Sequence, residues 1–307
     1  MRPHGQCVRG TWPADGARAG AKRLLKHVVL VHLLRHLAQK ETPFWVIDTH
    51  AGAGLYRLDS EWANKRGEFA DGIGRLWSRT DAPAAVAAYL DVVRARNSDG
   101  TLRHYPGSPF IALAHLRDAD RLRLFEAHSS EIEVLAGNID AAGRAAPRRT
   151  RVQAADGFAQ LKALLPPPPR RALTLIDPSY EDKRDYARVL ASLREALERF
   201  ATGCYAIWYP QVQRPESIEL PRRLTRLPGI RWLHATLAVR APADDGLGLH
   251  GSGMFVVNPP WTLQAALLES LPWLTQALAQ DRHARWTLDS GEPAPQAGAR
   301  RTPAAAR

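Results

Sequence analysis

Residues 44–54 read FWVIDTHAGAG. A short apolar run ends in an acid, Asp48, and gives way to two glycines spaced at i and i+2, Gly52 and Gly54. This predicts a buried strand over 44–49 followed by a tight turn. Glycines at such a turn let the backbone come close to a bound ligand. In open α/β sheets ligands bind outside the carboxyl ends of the strands, where the strand order reverses. A dinucleotide and S-adenosylmethionine compete for a turn of this kind. The dinucleotide fingerprint needs a third glycine three residues on and an acid about 20 residues later. Arg57 stands at the third position, and ADGIGRLWS (70–78) does not read as a strand ending in an acid. A nicotinamide-dependent oxidoreductase is therefore the weakest reading.

Outward from that turn, strands and helices alternate. Apolar residues from Leu24 to Leu37 predict a helix over 21–40 with a wide buried face, stopped by Thr42 and Pro43. Further strands are predicted at 121–126, 151–154, 172–176, 204–208, 232–239 and 253–258. Helices are predicted at 130–142, 157–164, 185–200, 214–227 and about 262–280. Alternation of this kind predicts an α/β fold with a mostly parallel, doubly wound, Rossmann-like sheet. Residues 57–105 look different, with helical patterns such as 81–96 between polar loops, and read as a helical insertion. The expected organisation is an irregular segment at 1–23, a Rossmann-like domain from 24–56 and 106–285, the insertion at 57–105, and a disordered Pro/Ala/Arg tail at 291–307.

The 307 residues carry 42 Lys and Arg against 31 Asp and Glu, a net charge of +11, and the pI is about 10.2. Such a balance suits a polyanionic partner, with RNA and DNA as first candidates. It also suits plain Arg-rich composition. Two cysteines, Cys7 and Cys204, exclude a disulfide scaffold and a Cys-rich zinc site. The most apolar run, HVVLVHLLRHL at 27–37, is too short to span a bilayer and carries Arg35. The first 20 residues lack the apolar core of a secretory signal. A cytoplasmic protein with no membrane partner is expected. His27, His32 and His36 lie near helical spacing without an acid or Cys partner, so no metal site is expected.

Three further patterns carry chemistry. Glu126 ends the strand RLRLFE, where a carboxylate can accept hydrogen bonds from both ribose hydroxyls of a nucleoside or stand as a surface acid. Asp156-Gly157 follows the strand RVQA and can hold an adenine edge or cap the helix that starts there. The strongest is LIDPSY at 175–180. An apolar strand delivers an acid, a proline, a small residue and an aromatic, one letter from Asp-Pro-Pro-Tyr, the signature of methyltransferases acting on exocyclic amines. The lone pair of such an amine is delocalised into the ring, so it is a poor nucleophile. A carboxylate at Asp177 and a backbone carbonyl can accept its two N–H bonds, and the carboxylate can take the proton. Tyr180 can stack on a base removed from its helix, and Pro178 stiffens the turn.

The order of these patterns resembles the RlmJ family, the 23S rRNA adenine-N6 methyltransferases that use S-adenosylmethionine. The matching stretches are Leu25-Lys26-His27, DTHAGAG (48–54), YPGSP (105–109), ADGF (155–158), DPSY (177–180), IWYP (207–210), and GSGM (251–254) with NPPW (258–261). Each is short, but seven in order over about residues 24–275 are specific. The resemblance implies that His27, His50, Gly52 and Ser108 contact the cofactor. It makes Glu126 the ribose-binding acid and sets Asp156 and Gly157 beside the cofactor adenine. Asp177 would be the catalytic acceptor for the amine proton and would also contact the cofactor, with Pro178 and Tyr180 on the target adenine. The substrate would be 23S rRNA, protein-free or early in assembly, and the enzyme a monomer. A DNA adenine-N6 methyltransferase is an alternative on the same chemistry.

Two departures stand out. The family begins with Tyr-x-His-x-Phe-His-Ala-Gly-Asn, a segment that closes over cofactor and substrate. Here residues 4–24 read HGQCVRGTWPADGARAGAKRL, without that Tyr or Asn. A catalytically impaired, RNA-binding member of the fold is the alternative this motivates. Ser179 stands where the family has proline, which predicts a looser turn and a modest loss of rate.

Overall fold

The computed structural model describes residues 20–58, 69–244 and 248–293. Its first helix, α1 (Ala21–Ala38), is buried nearly all round. Leu24, Leu25, Val28, Val29, Leu30, Val31, Leu33 and Leu34 are each at most 1% exposed. A helix apolar on every side needs cover on every side. The sheet strands β7 (Cys204–Gln211), β8 (Trp232–Ala238) and β9 (Gly251–Val257) supply one side. Helix α2 (Ala84–Ala95), α3 (Ser108–Leu113) and the last helix α9 (Thr262–Leu278) cover others.

The main sheet has eight strands in the order β10-β8-β9-β7-β6-β1-β4-β5. Here β1 is Trp45–Asp48, β4 Arg121–Glu126, β5 Thr150–Ala154, β6 Ala172–Ile176 and β10 Arg285–Gly291. The pairs β5-β4, β4-β1, β1-β6 and β6-β7 are parallel; β9 runs antiparallel between β7 and β8, and β10 antiparallel to β8. The helices α4 (Ser129–Ala141), α6 (Gly157–Leu164), α7 (Arg184–Arg199) and α8 (Pro215–Leu224) make the crossovers, with a short α5 (Ala145–Arg149) before β5. From β1 the chain moves outward through β4 to β5, then returns to β6 on the other side of β1. The order therefore reverses between β1 and β6, which is where ligands bind in open sheets.

Register aligns the strand ends. Asp48 of β1 sits opposite Leu124 of β4 and Leu175 of β6, and Glu126 sits opposite Ala154 of β5. Glu126, Asp156 and Asp177 each lie two residues beyond one of these positions. Acids thus end, or closely follow, four neighbouring parallel strands along one edge of the sheet.

A small antiparallel ribbon, β2 (Leu55–Arg57) with β3 (His104–Pro106), pairs Tyr56 with Tyr105. Gly107 N–H donates to Gly54 O at 2.7 Å, and a Cβ on Gly107 would stand 2.9 Å from that oxygen. This neck returns the chain to the glycine turn after a π-helical turn (Ala70–Gly74) and α2, and sets Ser108 beside β1.

Most expected elements are present within one to three residues at each end. Two boundaries differ. The helix expected from residue 21 does begin there, so the boundary of the irregular segment at 23 cuts into α1, whose first turn continues the register held by burial from Leu24. The sheet continues beyond 285, and Gly291, expected in the tail, ends β10. That strand, RWTLDSG, turns Trp286 and Leu288 inward and alternates too briefly among polar residues to stand out in sequence. The ribbon β2-β3, α3 and α5 are equally short. The altered segment at 4–19 and the tail from 294 lie outside the described residues.

Candidate active site at the reversal of strand order

The turn after β1 adopts the conformation its glycines permit. Gly52 has φ +59° and Gly54 φ +78°, in the left-handed region. Gly52 N–H donates to Glu126 Oε2 at 2.8 Å, and His128 N–H donates to Glu126 Oε1 at 2.8 Å. The carboxylate is thus aimed by two backbone donors and keeps further lone pairs for a ligand. Asp156 caps α6 by accepting from Phe158 N–H at 3.0 Å and pairs with Arg188. A Cβ on Gly157 would come within 2.1 Å of Thr49 O, so the start of α6 packs directly on the β1 turn. Of the two readings left open for Asp156-Gly157, the cap is therefore present, and the pair also borders the turn.

His50 sets its ring edge-on to Phe158 at 4.7 Å. Burial lowers its pKa to about 4 against the pull of Asp177, Glu126 and Asp156, so the imidazole is neutral. Asp48 is 1% exposed, and burial pushes its pKa up to about 6, although the Ser108 hydroxyl, the Lys26 ammonium and the His50 amide all favour its charged form. Its Oδ1 accepts from His50 N–H at 3.2 Å, while Oδ2 meets no donor among the described residues. His27 Nδ1 lies 2.7 Å from the Tyr105 hydroxyl, which in turn accepts from Tyr89 at 3.2 Å.

Asp177 leaves the end of β6 into the same space. Its Oδ2 accepts from Lys26 Nζ at 2.5 Å and Arg23 Nη1 at 3.2 Å. The Lys26 and Asp177 side chains are only 5% and 2% exposed. Burial lowers the Lys26 pKa, with Asp177 the chief opposing influence. Asp177 Oδ1 has no donor among the described residues, so one buried acceptor remains available.

Tyr180 stands differently from the expectation of an open stacking face. It is 3% exposed at φ +57°, its hydroxyl donates to Trp208 O at 2.7 Å, and its ring packs at 4.6 Å from Tyr186. A buried phenol needs such a partner, and the carbonyl of β7 is within reach once the turn bends back. Arg23 lies over the Trp208 ring at 4.4 Å. Pro178 is buried between Asp177 and the exposed Ser179.

The structure therefore brings together His27, His50, Gly52, Ser108, Glu126, Asp156, Gly157, Asp177, Pro178 and Tyr180. Sequence reasoning missed Lys26, Arg23 and Asp48 as members. A lysine within a helix apolar on every side was the available signal, since a buried ammonium requires a partner. Asp48, like Glu126, ends an apolar strand. A fit to S-adenosylmethionine can be judged from these atoms. The positive-φ turn offers close backbone approach, Glu126 suits a ribose diol, and orphaned oxygens on Asp48 and Asp177 suit a cation and an amine. The donor set fits that group.

Comparison with known proteins agrees. The family model described as ribosomal RNA large subunit methyltransferase D, RlmJ, matches residues 41–289. The chain belongs to the RlmJ family. A ribosomal RNA large subunit methyltransferase J of Haemophilus influenzae is 43% identical over 267 residues, covering 87% of this chain and 93% of that protein. Its namesake in Escherichia coli is 46% identical over 255 residues, covering 83% and 89%. A crystal structure of a Legionella pneumophila protein shares 30% identity with a TM-score of 0.80, covering 91% of this chain and 98% of that one. The sheet, with β9 reversed between β7 and β8, is the Rossmann-like α/β architecture expected from the sequence. Among the described residues no helix is long and apolar enough to cross a membrane, and no His, Cys, Asp and Glu group could hold a metal ion.

Proposed function

We propose that the protein transfers a methyl group from S-adenosylmethionine to the N6 amine of an adenine in 23S rRNA, acting as a monomer on protein-free or early-assembly RNA. The observation that carries this reading is the Asp177 carboxylate, buried at the strand-order reversal with Oδ2 held by Lys26 and Arg23 and Oδ1 without a donor. Such an oxygen suits an amine N–H that arrives with the substrate.

The cofactor supplies an electrophilic methyl on a sulfonium. Gly52 and the turn around it, with Ser108, would line its site, Glu126 would accept from its ribose, and Asp156 with Gly157 would border its adenine. His27 and His50 would contact it, and neutrality of His50 avoids setting a second cation beside the sulfonium. Asp177 Oδ1 accepts one N–H of the target amine and orients its lone pair, as general base catalysis requires. Lys26 and Arg23 hold the carboxylate in place. Pro178 stiffens the loop carrying it. Tyr180 stacks on the adenine once its covered face, now packed against Tyr186 and beside Trp208, opens. We assign residues 57–105 to an insertion in this enzyme, with 24–56 and 106–285, extended to Gly291 by β10, forming its methyltransferase domain.

Transfer of labelled methyl to protein-free 23S rRNA from an unmodified strain tests the reading, with Asp177→Ala alongside and duplex DNA as a competing acceptor. Transfer to RNA by the wild type alone supports it. Transfer to DNA alone would move the assignment to a DNA methyltransferase. RNA binding without transfer would favour the impaired, RNA-binding alternative.

A further inference from the structure

Beside the catalytic loop lies a second feature that the reaction above does not use. An open groove of about 360 Å³ runs between the start of α7 and the length of α8. That volume is at the lower end of ligand pockets, about 300–1,000 Å³. Its apolar lining is the exposed Ala187 and Pro215 over the buried Tyr186 and Leu220, and the exposed Lys183 and Arg223 line it too. Glu216, in the first turn of α8, and Glu219 also line it, and Glu219 is engaged by Arg222 at 3.1 Å. The groove is coupled to the catalytic loop by direct contact. The Tyr186 ring that lines it packs against Tyr180 at 4.6 Å, and Arg214, next to Pro215, reaches the Tyr180 carbonyl at 3.4 Å.

We propose that this groove is a binding subsite for the base of a nucleotide flanking the target adenosine on the same RNA strand. The inference rests on the RNA reading above and names a recognition site for it. Single-stranded RNA is recognised by splayed bases that stack on aromatic and apolar surfaces while cations track the backbone. The groove offers that combination one ring's thickness from Tyr180. A base lies against the exposed Pro215 and Ala187, above the buried Tyr186 and Leu220, Glu216 accepts from an exocyclic amine, and Lys183 and Arg223 meet the adjoining phosphates. A strand entering the active site can cross this surface, which sets an apolar seat and two cations beside the loop that carries Tyr180.

The test fills the groove from its exposed wall. Ala187 is exposed on α7, so Ala187→Trp adds bulk to the groove without disturbing the core. Ala191→Trp, one turn further along the same helix and outside the groove, controls for bulk. With protein-free 23S rRNA as acceptor, Ala187→Trp should raise the KM for RNA at least tenfold and leave the KM for S-adenosylmethionine and the melting temperature unchanged. Ala191→Trp should match the wild type. Lys183→Ala and Arg223→Ala should each reduce the slope of log affinity against log salt by about 0.7, the value for one single-strand phosphate contact. An Ala187→Trp protein with the wild-type KM for RNA would overturn the proposal. Should the wild type transfer no methyl to RNA, the functional reading falls and filter binding of the same RNA judges the groove alone. Binding weakened only in Ala187→Trp would still support it; equal binding, or none, would overturn it.

Discussion

The buried pair of Lys26 and Asp177 allows a double-mutant cycle whose outcome the geometry dictates. Their side chains are 5% and 2% exposed and meet at 2.5 Å, so neither charge has water to fall back on. Removing one partner of such a pair costs about 3–5 kcal/mol, because the other remains buried and uncompensated. Asp177→Asn strands both Lys26 and Arg23 and belongs at the upper end of that range. Lys26→Met leaves Asp177 with Arg23 at 3.2 Å and belongs at the lower end. The double variant leaves only Arg23, 19% exposed, which can swing into solvent. It should therefore be more stable than the sum of the single losses predicts, by at least about 2 kcal/mol, within the range seen for contacting residues. Urea unfolding at neutral pH, followed by far-ultraviolet circular dichroism, measures all four corners. A second signature separates charge from packing. Burial already lowers the Lys26 pKa, and without Asp177 the amine sheds its proton more readily still. A group whose folded pKa is depressed disfavours its charged form, so its penalty lifts as pH rises through the folded value. Asp177→Asn should recover stability on going from about pH 7 to about pH 9, and Lys26→Met should not. Single losses that simply add within about 0.5 kcal/mol, with no pH recovery, would refute the ion-pair account.

Asp48 makes a prediction of opposite sign. Its folded pKa of about 6 lies above the ordinary 3.8, so stability falls as pH rises between those values and the full cost is present above about 6. At about 1.36 kcal/mol per pH unit that cost is about 3 kcal/mol; Asp48→Asn should gain on the wild type by about that amount between pH 4 and pH 7 in urea titrations, and a flat difference would contradict it. Gly157→Ala should unfold at least about 3 kcal/mol more readily, because overpacking costs of 1–3 kcal/mol assume neighbours that can shift and here the obstacle is the Thr49 carbonyl at 2.1 Å. Tyr105→Phe removes the hydroxyl between His27 and Tyr89 and should cost about 1–3 kcal/mol, read as a lower urea midpoint with unchanged slope. Ser179→Pro should raise the rate of methyl transfer modestly by stiffening the turn beside Asp177; no gain in single-turnover rate would refute that role for the serine.

What could be read from the sequence follows from which forces act locally. The glycine turn, the acids ending strands and the alternating strands and helices were legible because burial, backbone freedom and strand termination leave their mark within a few residues. β10 was not, because RWTLDSG owes its place to pairing with β8 across the chain. Nor were Lys26 and Arg23 readable as partners of Asp177, since 151 and 154 residues separate them and only the packing of α1 against β7 to β9 brings them to the end of β6. Tyr180 shows the converse. Its residue type and position in DPSY were plain, yet the direction of its ring depends on a positive φ and on a carbonyl of β7 that no local pattern announces.

The register explains why one site can hold so many acids. Asp48, Glu126, Asp156 and Asp177 emerge along the same edge of four adjacent strands, and each is held by a different means. Backbone amides aim Glu126, a helix start with Arg188 engages Asp156, two cations meet Asp177, and Asp48 carries its burial as a raised pKa. Four carboxylates held only by one another would neutralise by protonation. Separate partners orient Glu126 and Asp177 as acceptors, and the contacts of Arg23 and Lys26 make the helix that covers the sheet also the element that holds the Asp177 carboxylate.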